Sequence, residues 1–210
     1  MAKLTWGTPG ERYYEAGVDR GAVYIDGVGI AWSGLTAVSE KSPGGDVSEF
    51  FLDGIKYAQL MSAEDFEATV EALGYPREFA QCDGTLEVHN GLFATQQRRK
   101  TFNMTYRTKV GNDVSGIDLG YKIHLVYNAL ASPTDRSNQT LTDAAAPMTF
   151  SWNMTTVPSQ VSGIRPTAHF VVDSRTANAG VLATLENLLY GTNVAAPNFP
   201  TASALVAMFA

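Results

Sequence analysis

Apolar and polar residues alternate along the middle of the chain, from residue 98 to residue 131. A period of two places each set on its own face of a β-strand. Gly, Asn and Asp residues separate two such runs and supply turn chemistry between them. The pattern predicts two antiparallel strands, each with one apolar and one polar face. The apolar positions are Phe102, Met104 and Tyr106 in the first run, and Tyr121, Ile123, Leu125 and Tyr127 in the second.

The same period recurs on both sides of this pair. Residues 66–72 alternate, although their Glu and Ala residues would also suit a helix. A strand is the better interpretation, because helical spacing would scatter these apolar residues around the axis. Residues 149–155 alternate in the same way, and 169–173 form a short apolar run. Two Asp-Gly pairs, at 26–27 and 53–54, predict tight hairpin turns.

Leucine and valine recur at helical spacing only late in the chain. The pattern predicts an amphipathic helix over 178–190, with Gly191 as its C-terminal cap. A shorter helix over 202–209 would begin after Thr201 as N-cap. We therefore expect a mainly β (α+β) fold, an antiparallel β-sandwich or distorted barrel with one flanking α-helix.

At 210 residues, the chain has the size of one ordinary domain. Four segments combine polar, glycine or proline residues with little apolar periodicity, so we expect them to lie outside the strands and the flanking helix. They are an N-terminal arm (1–20), an exposed loop (39–49), a surface loop (132–147) and a C-terminal arm (192–210).

Charge and cysteine content narrow the classes of partner. Asp and Glu number 21 against 15 Lys and Arg, a net charge of −6, which argues against tight nucleic-acid binding. No apolar run approaches the ~18 residues of a membrane helix, so no membrane partner is expected. Cys82 is the only cysteine and is predicted to be a small buried thiol in a reducing, cytoplasm-like compartment.

Candidate chemistry is sparse. The histidines at 89, 124 and 169 are far apart in sequence, which predicts ordinary polar histidines and no metal-ligand spacing. Glu67 and Glu71 lie about 13 Å apart along a strand, too far for a retaining glycosidase pair. Scattered tryptophans at 6, 32 and 152 are more typical of a core than of a sugar platform. The sequence thus predicts that the protein is not an enzyme and that it has no catalytic residue, metal or cofactor.

Seven stretches resemble a known family in their residue patterns and in their order along the chain: 13–25, 29–45, 50–60, 66–85, 98–113, 121–133 and 182–209. Together they resemble the major tail proteins, or tail tube proteins, of long-tailed bacteriophages, particularly those that infect actinobacteria. The resemblance implies a β-sandwich or distorted barrel with a flanking helix, six subunits to a ring, and rings stacked into a hollow tube. One sheet from each subunit would contribute to a channel through which DNA is ejected.

The same resemblance implies partners and a location. Further copies of the chain would form the tube, and a tape measure protein and tail terminator or tip proteins would bind it. Phage DNA would pass through without specific binding. The protein would be assembled in the host cytoplasm and would reside in the tail of the virion.

Three sets of residues follow as candidates for this role. Glu67, Thr69 and Glu71 would face the lumen, with outside solvent or a neighbouring subunit as an alternative. Arg107 and Lys109 would pair with acidic groups across a subunit boundary. Candidates for ring-to-ring contacts are Trp6, Arg12, Tyr13 and Tyr14 of the arm, and Pro43, Gly44, Gly45 and Asp46 of the loop.

Two other classes of function stay open. One is a monomeric carbohydrate-binding β-sandwich module of the adhesin type, which would expose aromatic side chains to glycans. The other is a small hydrolase that uses the Glu67–Glu71 pair or His124, which would need a concave pocket with perturbed carboxylates.

Overall fold

The computed structural model describes residues 3–138, 140 and 147–210. Within these residues the fold is mainly β and antiparallel, as predicted. Three helices and one 3-10 turn (Arg77–Phe79) accompany the strands. The elements are β1 (Tyr13–Ile25), β2 (Val28–Ala31), β3 (Leu35–Lys41), β4 (Val47–Leu52), β5 (Ile55–Met61), β6 (Glu67–Ala72), α1 (Ala80–Asp83), β7 (Leu86–His89), β8 (Leu92–Ala94), β9 (Phe102–Asn112), β10 (Gly116–Pro133), β11 (Phe150–Thr156), β12 (His169–Asp173), α2 (Ala179–Tyr190) and α3 (Ala202–Met208).

One large sheet organises the molecule, with strand order β2-β1-β9-β10-β11-β6-β3. β10 is its longest strand and changes partner along its length. Residues 122–126 pair with β12 and residues 129–133 pair with β11, while β9 borders β10 on the other side. β4 with β5, and β7 with β8, form separate two-stranded ladders.

The large sheet curls until its last strand, β3, approaches β1. Trp32 N, just before β3, donates a hydrogen bond to Gly21 O of β1 over 2.8 Å. A Cβ on Gly21 would lie only 2.9 Å from Leu35 Cδ2, the end of a flexible side chain, so β1 and β3 approach closely here. Bulges in β1 near Gly21 supply part of the bend. The sheet forms an open barrel rather than a closed one.

An aromatic cluster fills the interior of the barrel. Trp32, Phe79 and Trp152 are buried, with ring centroids 4.6–5.5 Å apart. The predicted burial of Trp32 and Trp152 is confirmed, whereas Trp6 is 84% exposed. Cys82 is fully buried as predicted, and burial raises the pKa of its thiol to about 12. The apolar faces predicted for β6, β9 and β11 line this core.

A second core lies between the outside of the sheet and two helices. Leu182, Leu185 and Leu189 of α2, and Leu205 of α3, pack over the outer side chains of β1, β10 and β12. Two helices therefore flank the sheet, where the sequence predicted one. Thr201 is the N-cap of α3, as predicted, and Asn178 caps α2. None of the helices in the described ranges is long and apolar enough to cross a membrane.

The central strand differs from its prediction because the fold covers both of its faces. Ile123, Leu125 and Tyr127 face the helices, and His124 and Val126 face the barrel, so all five residues are buried. The polar face predicted for this part of β10 is not wet. Alternation gives the two faces correctly but cannot show that a polar face will also be covered.

The segments predicted to lie outside the strands are shorter in the structure. Residues 13–20 belong to β1, where they pair with β9 and satisfy their backbone groups despite exposed side chains. Residues 39–41 belong to β3 and 47–49 to β4, which leaves 42–46 between them. β10 takes Ser132 and Pro133 from the predicted 132–147 loop, and residues 139 and 141–146 of that loop lie outside the described residues.

A buried carboxylate ties α1 to the barrel. Trp152 Nε1 donates a hydrogen bond to Asp83 Oδ1 over 2.8 Å, and Arg136 Nη2 donates to Asp83 Oδ2 over 2.6 Å. The Asp83 side chain is only 4% exposed. Arg136 also lies over the Phe150 ring, 5.2 Å from its centroid. Asp83 thus accepts the hydrogen bond of the buried Trp152 indole N–H and, through Arg136, holds the segment that follows β10.

We expect Asp83→Ala to lower the free energy of unfolding by about 2–3 kcal/mol, because it leaves the buried Trp152 N–H without an acceptor. Asp135→Ala removes an exposed carboxylate next to Arg136 and should change stability by less than about 0.5 kcal/mol. Urea unfolding monitored by tryptophan fluorescence measures both. Equal effects of the two substitutions would contradict the role given to Asp83.

Candidate assembly surfaces

A hairpin arm, residues 43–65, projects from the β3–β6 edge of the barrel. Gly44 bridges Glu64, Asp65 N donates to Pro43 O over 2.9 Å, and Ser62 N donates to Asp46 O over 3.0 Å. These contacts continue the β3–β6 ladder into β4–β5. Pro43–Asp46, predicted as a ring-to-ring loop, is one half of the base of this arm. Gly44 is needed there, because a Cβ would lie 2.3 Å from Ala63 O.

The outer part of the arm makes almost no contact with the body of the molecule. Apart from Ala58, every residue of β4 and β5 is exposed, and the two strands join through the predicted Asp53-Gly54 turn, with φ of 52° and 75°. An isolated two-stranded hairpin is marginal in water. Its large apolar side chains are 42–75% exposed: Val47, Phe50, Phe51, Leu52, Ile55, Tyr57, Leu60 and Met61.

Neither face of the hairpin arm is a polar, solvent-facing one. On one face the cross-strand pairs are Phe50 with Ala58, Leu52 with Ile55, and Ser48 with Leu60. The other face mixes apolar and polar residues in the pairs Val47–Met61, Glu49–Gln59 and Phe51–Lys56, together with an ion pair between Glu49 and Lys56. An ordinary antiparallel ribbon buries one face and leaves the other wet. This one has apolar side chains on both faces.

Other exposed apolar residues lie outside the arm. The β7–β8 hairpin exposes Leu86, Val88, Leu92 and Phe93. At the N-terminus, Trp6 is exposed and Arg12 donates a hydrogen bond to Gly7 O, while Gly10 N donates to Asp113 Oδ1. Tyr13 and Tyr14 are 60% and 44% exposed on β1. The ring-to-ring contact residues predicted in the N-terminal arm are therefore exposed.

The total accessible surface is large for the mass. The chain exposes 13,425 Å² at 22.6 kDa. A compact monomer of that mass exposes about 9,500 Å². Nine residues outside the described ranges could add only about 1,400 Å² even as extended chain. The remaining excess exceeds the roughly 800 Å² per partner that a standard interface buries.

A polar surface, here called the polar plate, covers the outside of β3, β6 and β11. Its rows are Lys41–Glu67–Thr155, Ser39–Thr69–Asn153 and Ala37–Glu71–Ser151. Thr69 Oγ1 donates to Asn153 Oδ1 over 3.0 Å. The strand predicted for 66–72 is confirmed. Glu67, Thr69 and Glu71 share this outward face, opposite the buried Ala68 and Val70.

Arg107 has its partner within the chain. Its Nε and Nη2 donate to the two Asp19 carboxylate oxygens over 2.6 and 2.7 Å, and its guanidinium lies 4.7 Å from the Tyr121 ring centroid. Hydrogen bonds from Arg107 lower the pKa of Asp19. Arg107 therefore has an intramolecular partner, and its predicted contact across a subunit boundary stays a prediction. For Lys109 the boundary contact stays a prediction.

Two of the predicted isolated histidines are neighbours, which corrects the sequence interpretation. His124 of β10 pairs with Val171 and His169 pairs with Val126, so the two rings share one face diagonally. His124 Nδ1 lies 3.1 Å from His169 Nε2 and 3.1 Å from Glu40 Oε1. Strand register alone brings together residues 45 positions apart, and no sequence spacing signals it.

Charge around this cluster is set by burial and hydrogen bonding. Hydrogen bonding to His124 lowers the pKa of Glu40 to about 2, with a further contribution from the Tyr106 hydroxyl, which donates to Glu40 Oε1 over 2.6 Å. Burial lowers the pKa of His169 to about 4. At neutral pH the cluster therefore combines an ionised carboxylate with an uncharged His169 imidazole.

Comparison with known proteins gives only distant structural neighbours. No family model and no curated protein matches the chain. One neighbour is a chain of the PVC sheath-tube complex, an extracellular contractile injection system, in the extended state. It is 12% identical in sequence with a TM-score of 0.40, and the match covers 81% of this chain and 94% of the neighbour. Another is a chain of the six-fold symmetrised baseplate of the anti-feeding prophage. It is 12% identical with a TM-score of 0.37, and the match covers 80% of this chain and 97% of the neighbour.

A chain of the tube-terminating cap of the anti-feeding prophage is 8% identical at a TM-score of 0.38, covering 83% of this chain and 96% of that chain. TM-scores of 0.40 and below describe a partial overlap of backbone paths. The surfaces of this chain itself therefore decide what can be proposed for it.

We expect Arg107→Ala to lower the free energy of unfolding by about 1–2 kcal/mol at pH 7, a charged hydrogen-bonded pair discounted for its partial exposure. Lys109→Ala should change it by less than about 0.5 kcal/mol. Because the pKa of Asp19 is lowered in the folded state, the pair stabilises above pH ~4 and loses its effect as pH falls. Denaturant unfolding from pH 7 to pH 3 measures this; a wild-type advantage unchanged at pH 3 would contradict it.

Proposed function

We propose that this chain is a structural tail tube protein of a long-tailed phage, which assembles with copies of itself into six-membered rings stacked as a hollow tube for DNA ejection. The hairpin arm carries the proposal. It exposes apolar side chains on both faces, so only a neighbouring molecule can bury it. The ring of six and the actinobacteriophage type come from the sequence resemblance alone.

The energetics favour several contacts over one. Fully burying one large apolar side chain contributes about 1.5–3 kcal/mol. Eight such side chains, already partly shielded in the hairpin arm, would contribute roughly 7–14 kcal/mol. Association costs about 4–15 kcal/mol. A single arm contact is therefore comparable with its cost, and stable association requires further contacts at each subunit.

A projecting arm that enters a different surface of the next copy makes a heterologous contact. Such contacts generate closed rings or open stacks rather than isolated dimers. The exposed β7–β8 hairpin and the residues Trp6, Arg12, Tyr13 and Tyr14 are the proposed receiving or adjoining surfaces between rings, with Pro43–Asp46 at the base of the arm. Lys109 is proposed to contact an acidic group of a neighbour.

The polar plate is the proposed wall of the channel. Hydroxyl and amide groups dominate it, and its charges are the carboxylates of Glu67 and Glu71 against the ammonium of Lys41. Such a wall offers DNA phosphates few cations to bind, so DNA would pass without specific binding. Ring closure would also cover the free edges of β2 and β3, which otherwise template aggregation.

The remaining partners follow from the sequence resemblance. They are a tape measure protein and tail terminator or tip proteins. The proposed location is the tail of the virion, after assembly in the host cytoplasm.

The two alternative functions have less support from the geometry. A sugar platform built from the three tryptophans would need Trp32 and Trp152 at the surface, and both are buried. Glu67 and Glu71 lie on the outward face of β6, opposite the buried Ala68 and Val70. The exposed aromatic residues of the hairpin arm are what a carbohydrate-binding module would use, so glycan binding by a non-assembling monomer is the rival outcome of the test below.

Purified wild-type protein should form annular or tubular particles in negative-stain micrographs. Phe50→Ser combined with Leu60→Ser should abolish them, because it removes apolar area from one face of the hairpin arm. Ser48→Ala, on the same face, leaves that area intact and is the matched control. Monomeric wild-type protein with glycan-quenched fluorescence would contradict the assembly proposal and favour the carbohydrate-binding module.

In phage carrying Glu67→Lys and Glu71→Lys, we expect tails of normal length but slower DNA ejection, because four units of added positive charge per subunit would attract phosphates. Glu78→Lys, at an exposed position in the 3-10 turn and off the polar plate, is the control. Time-resolved DNA release from purified virions measures the rate. Unchanged release in the double variant would show that the polar plate does not face the channel.

A further inference from the structure

Glu40, His124 and His169 converge from three strands of the barrel. Each offers one ligand atom, and the three atoms lie within 4.8 Å of one another. Glu40 comes from the edge strand β3, His124 from the central strand β10 and His169 from β12. The His124 side chain is only 7% exposed, while Glu40 is 39% exposed and forms the open side of the cluster.

Hydrogen bonding can use only one of two close contacts in this cluster. His124 Nδ1 lies 3.1 Å from His169 Nε2, which donates or accepts according to its tautomer, and 3.1 Å from Glu40 Oε1. A neutral imidazole nitrogen carries at most one proton, and a carboxylate is acceptor-only. One proton cannot point at both neighbours, whereas a cation placed among the three atoms would accept a lone pair from each.

The surroundings resemble those that hold metal-binding histidines. The second ring nitrogen of His124, Nε2, lies 3.0 Å from Thr108 Oγ1, which fixes the ring orientation. Tyr106 stacks on His124 at 4.6 Å and Phe66 stacks on His169 at 4.2 Å, so aromatic rings shield both imidazoles. The Tyr106 hydroxyl orients Glu40 in turn.

The geometry points to a binding site for one divalent transition-metal ion at Glu40, His124 and His169, with Zn²⁺ the best match. Zn²⁺ binds imidazole nitrogen and carboxylate oxygen at about 2.0–2.2 Å, which places tetrahedral ligand atoms about 3.3 Å apart. Two of the three separations are already close to that value. The third, between Glu40 and His169, shortens by rotation of the partly exposed Glu40 side chain, and water completes the coordination.

Such an ion would tie the free edge of the barrel to its centre. β3 is held in the main sheet only by β6 on one side, and its other side faces β1 across the opening of the barrel. A bond from Glu40 to the histidines of β10 and β12 would fix the curvature at this opening. The site is independent of the proposed assembly, since neither the hairpin arm nor the polar plate contributes a ligand.

The test uses the full chain, stripped with chelator, and Zn²⁺ as the probe. Calorimetric titration should show one Zn²⁺ per chain, with a higher Tm in the presence of the ion. Glu40→Gln and His169→Gln should each weaken binding by more than about 100-fold, because even changes to supporting residues cost about 10–100-fold. Thr108→Val should fall in that 10–100-fold range.

His89→Gln removes an exposed histidine outside the cluster and should leave Zn²⁺ affinity unchanged. Circular dichroism in chelator establishes that each variant is folded, and Glu40→Gln is the variant with the smallest change in volume. Two results would overturn the proposal: wild-type protein that binds no Zn²⁺, or Glu40→Gln and His169→Gln variants that both bind it as tightly as His89→Gln. The three residues would then form a hydrogen-bonded polar cluster only.

Discussion

A β-ribbon with apolar side chains on both faces needs cover on both faces, and this requirement shapes the molecule. In β10 the chain meets it internally, because the barrel interior covers one face and the helices α2 and α3 cover the other. In the hairpin arm the described part of the chain leaves the large apolar side chains exposed. The same physical demand that gives β10 its place at the centre of the fold gives the arm its need for a neighbour.

The curled sheet separates these two tasks in space. Its interior holds the aromatic cluster around Trp152, and its β1, β10 and β12 region carries the helices. The outside of β3, β6 and β11 stays polar, with Thr69 bonded to Asn153 across strands. The arm leaves from the edge of this polar part, so an apolar contact surface and a wet surface lie side by side. That arrangement suits a subunit which touches its neighbours at the edges and water at its face.

Sequence periodicity predicted the local structure wherever one local rule was enough. Alternation predicted a strand rather than a helix at β6, and the Asp53-Gly54 pair predicted a two-residue turn. Thr201 predicted the start of a helix. Each of these depends on neighbours within a few residues. Of the exposed loop predicted at 39–49, only 42–46 lies outside the strands, and its role as the base of an arm depends on pairing with 62–65.

The rest depends on contacts that no local pattern encodes. Whether the polar face of β10 is wet is decided by the curl of the whole sheet, which places His124 and Val126 in the covered interior of the barrel. His124 and His169 meet only through the register of β10 with β12, and Glu40 reaches them only because the sheet curls. Arg107 lies next to Asp19 for the same reason, through pairing of β9 with β1. Long-range register, rather than composition, therefore sets the histidine cluster and the Arg107–Asp19 pair.

Hydrogen–deuterium exchange of the hairpin arm tests the central claim most directly. Exposed amides in a marginal ribbon exchange quickly, and amides buried at an interface are protected. Residues 47–61 should exchange rapidly in dilute, monomeric protein and become protected at concentrations where the protein assembles, while β10 stays protected throughout. Fast exchange of the arm in assembled particles, or full protection in the dilute monomer, would contradict the account.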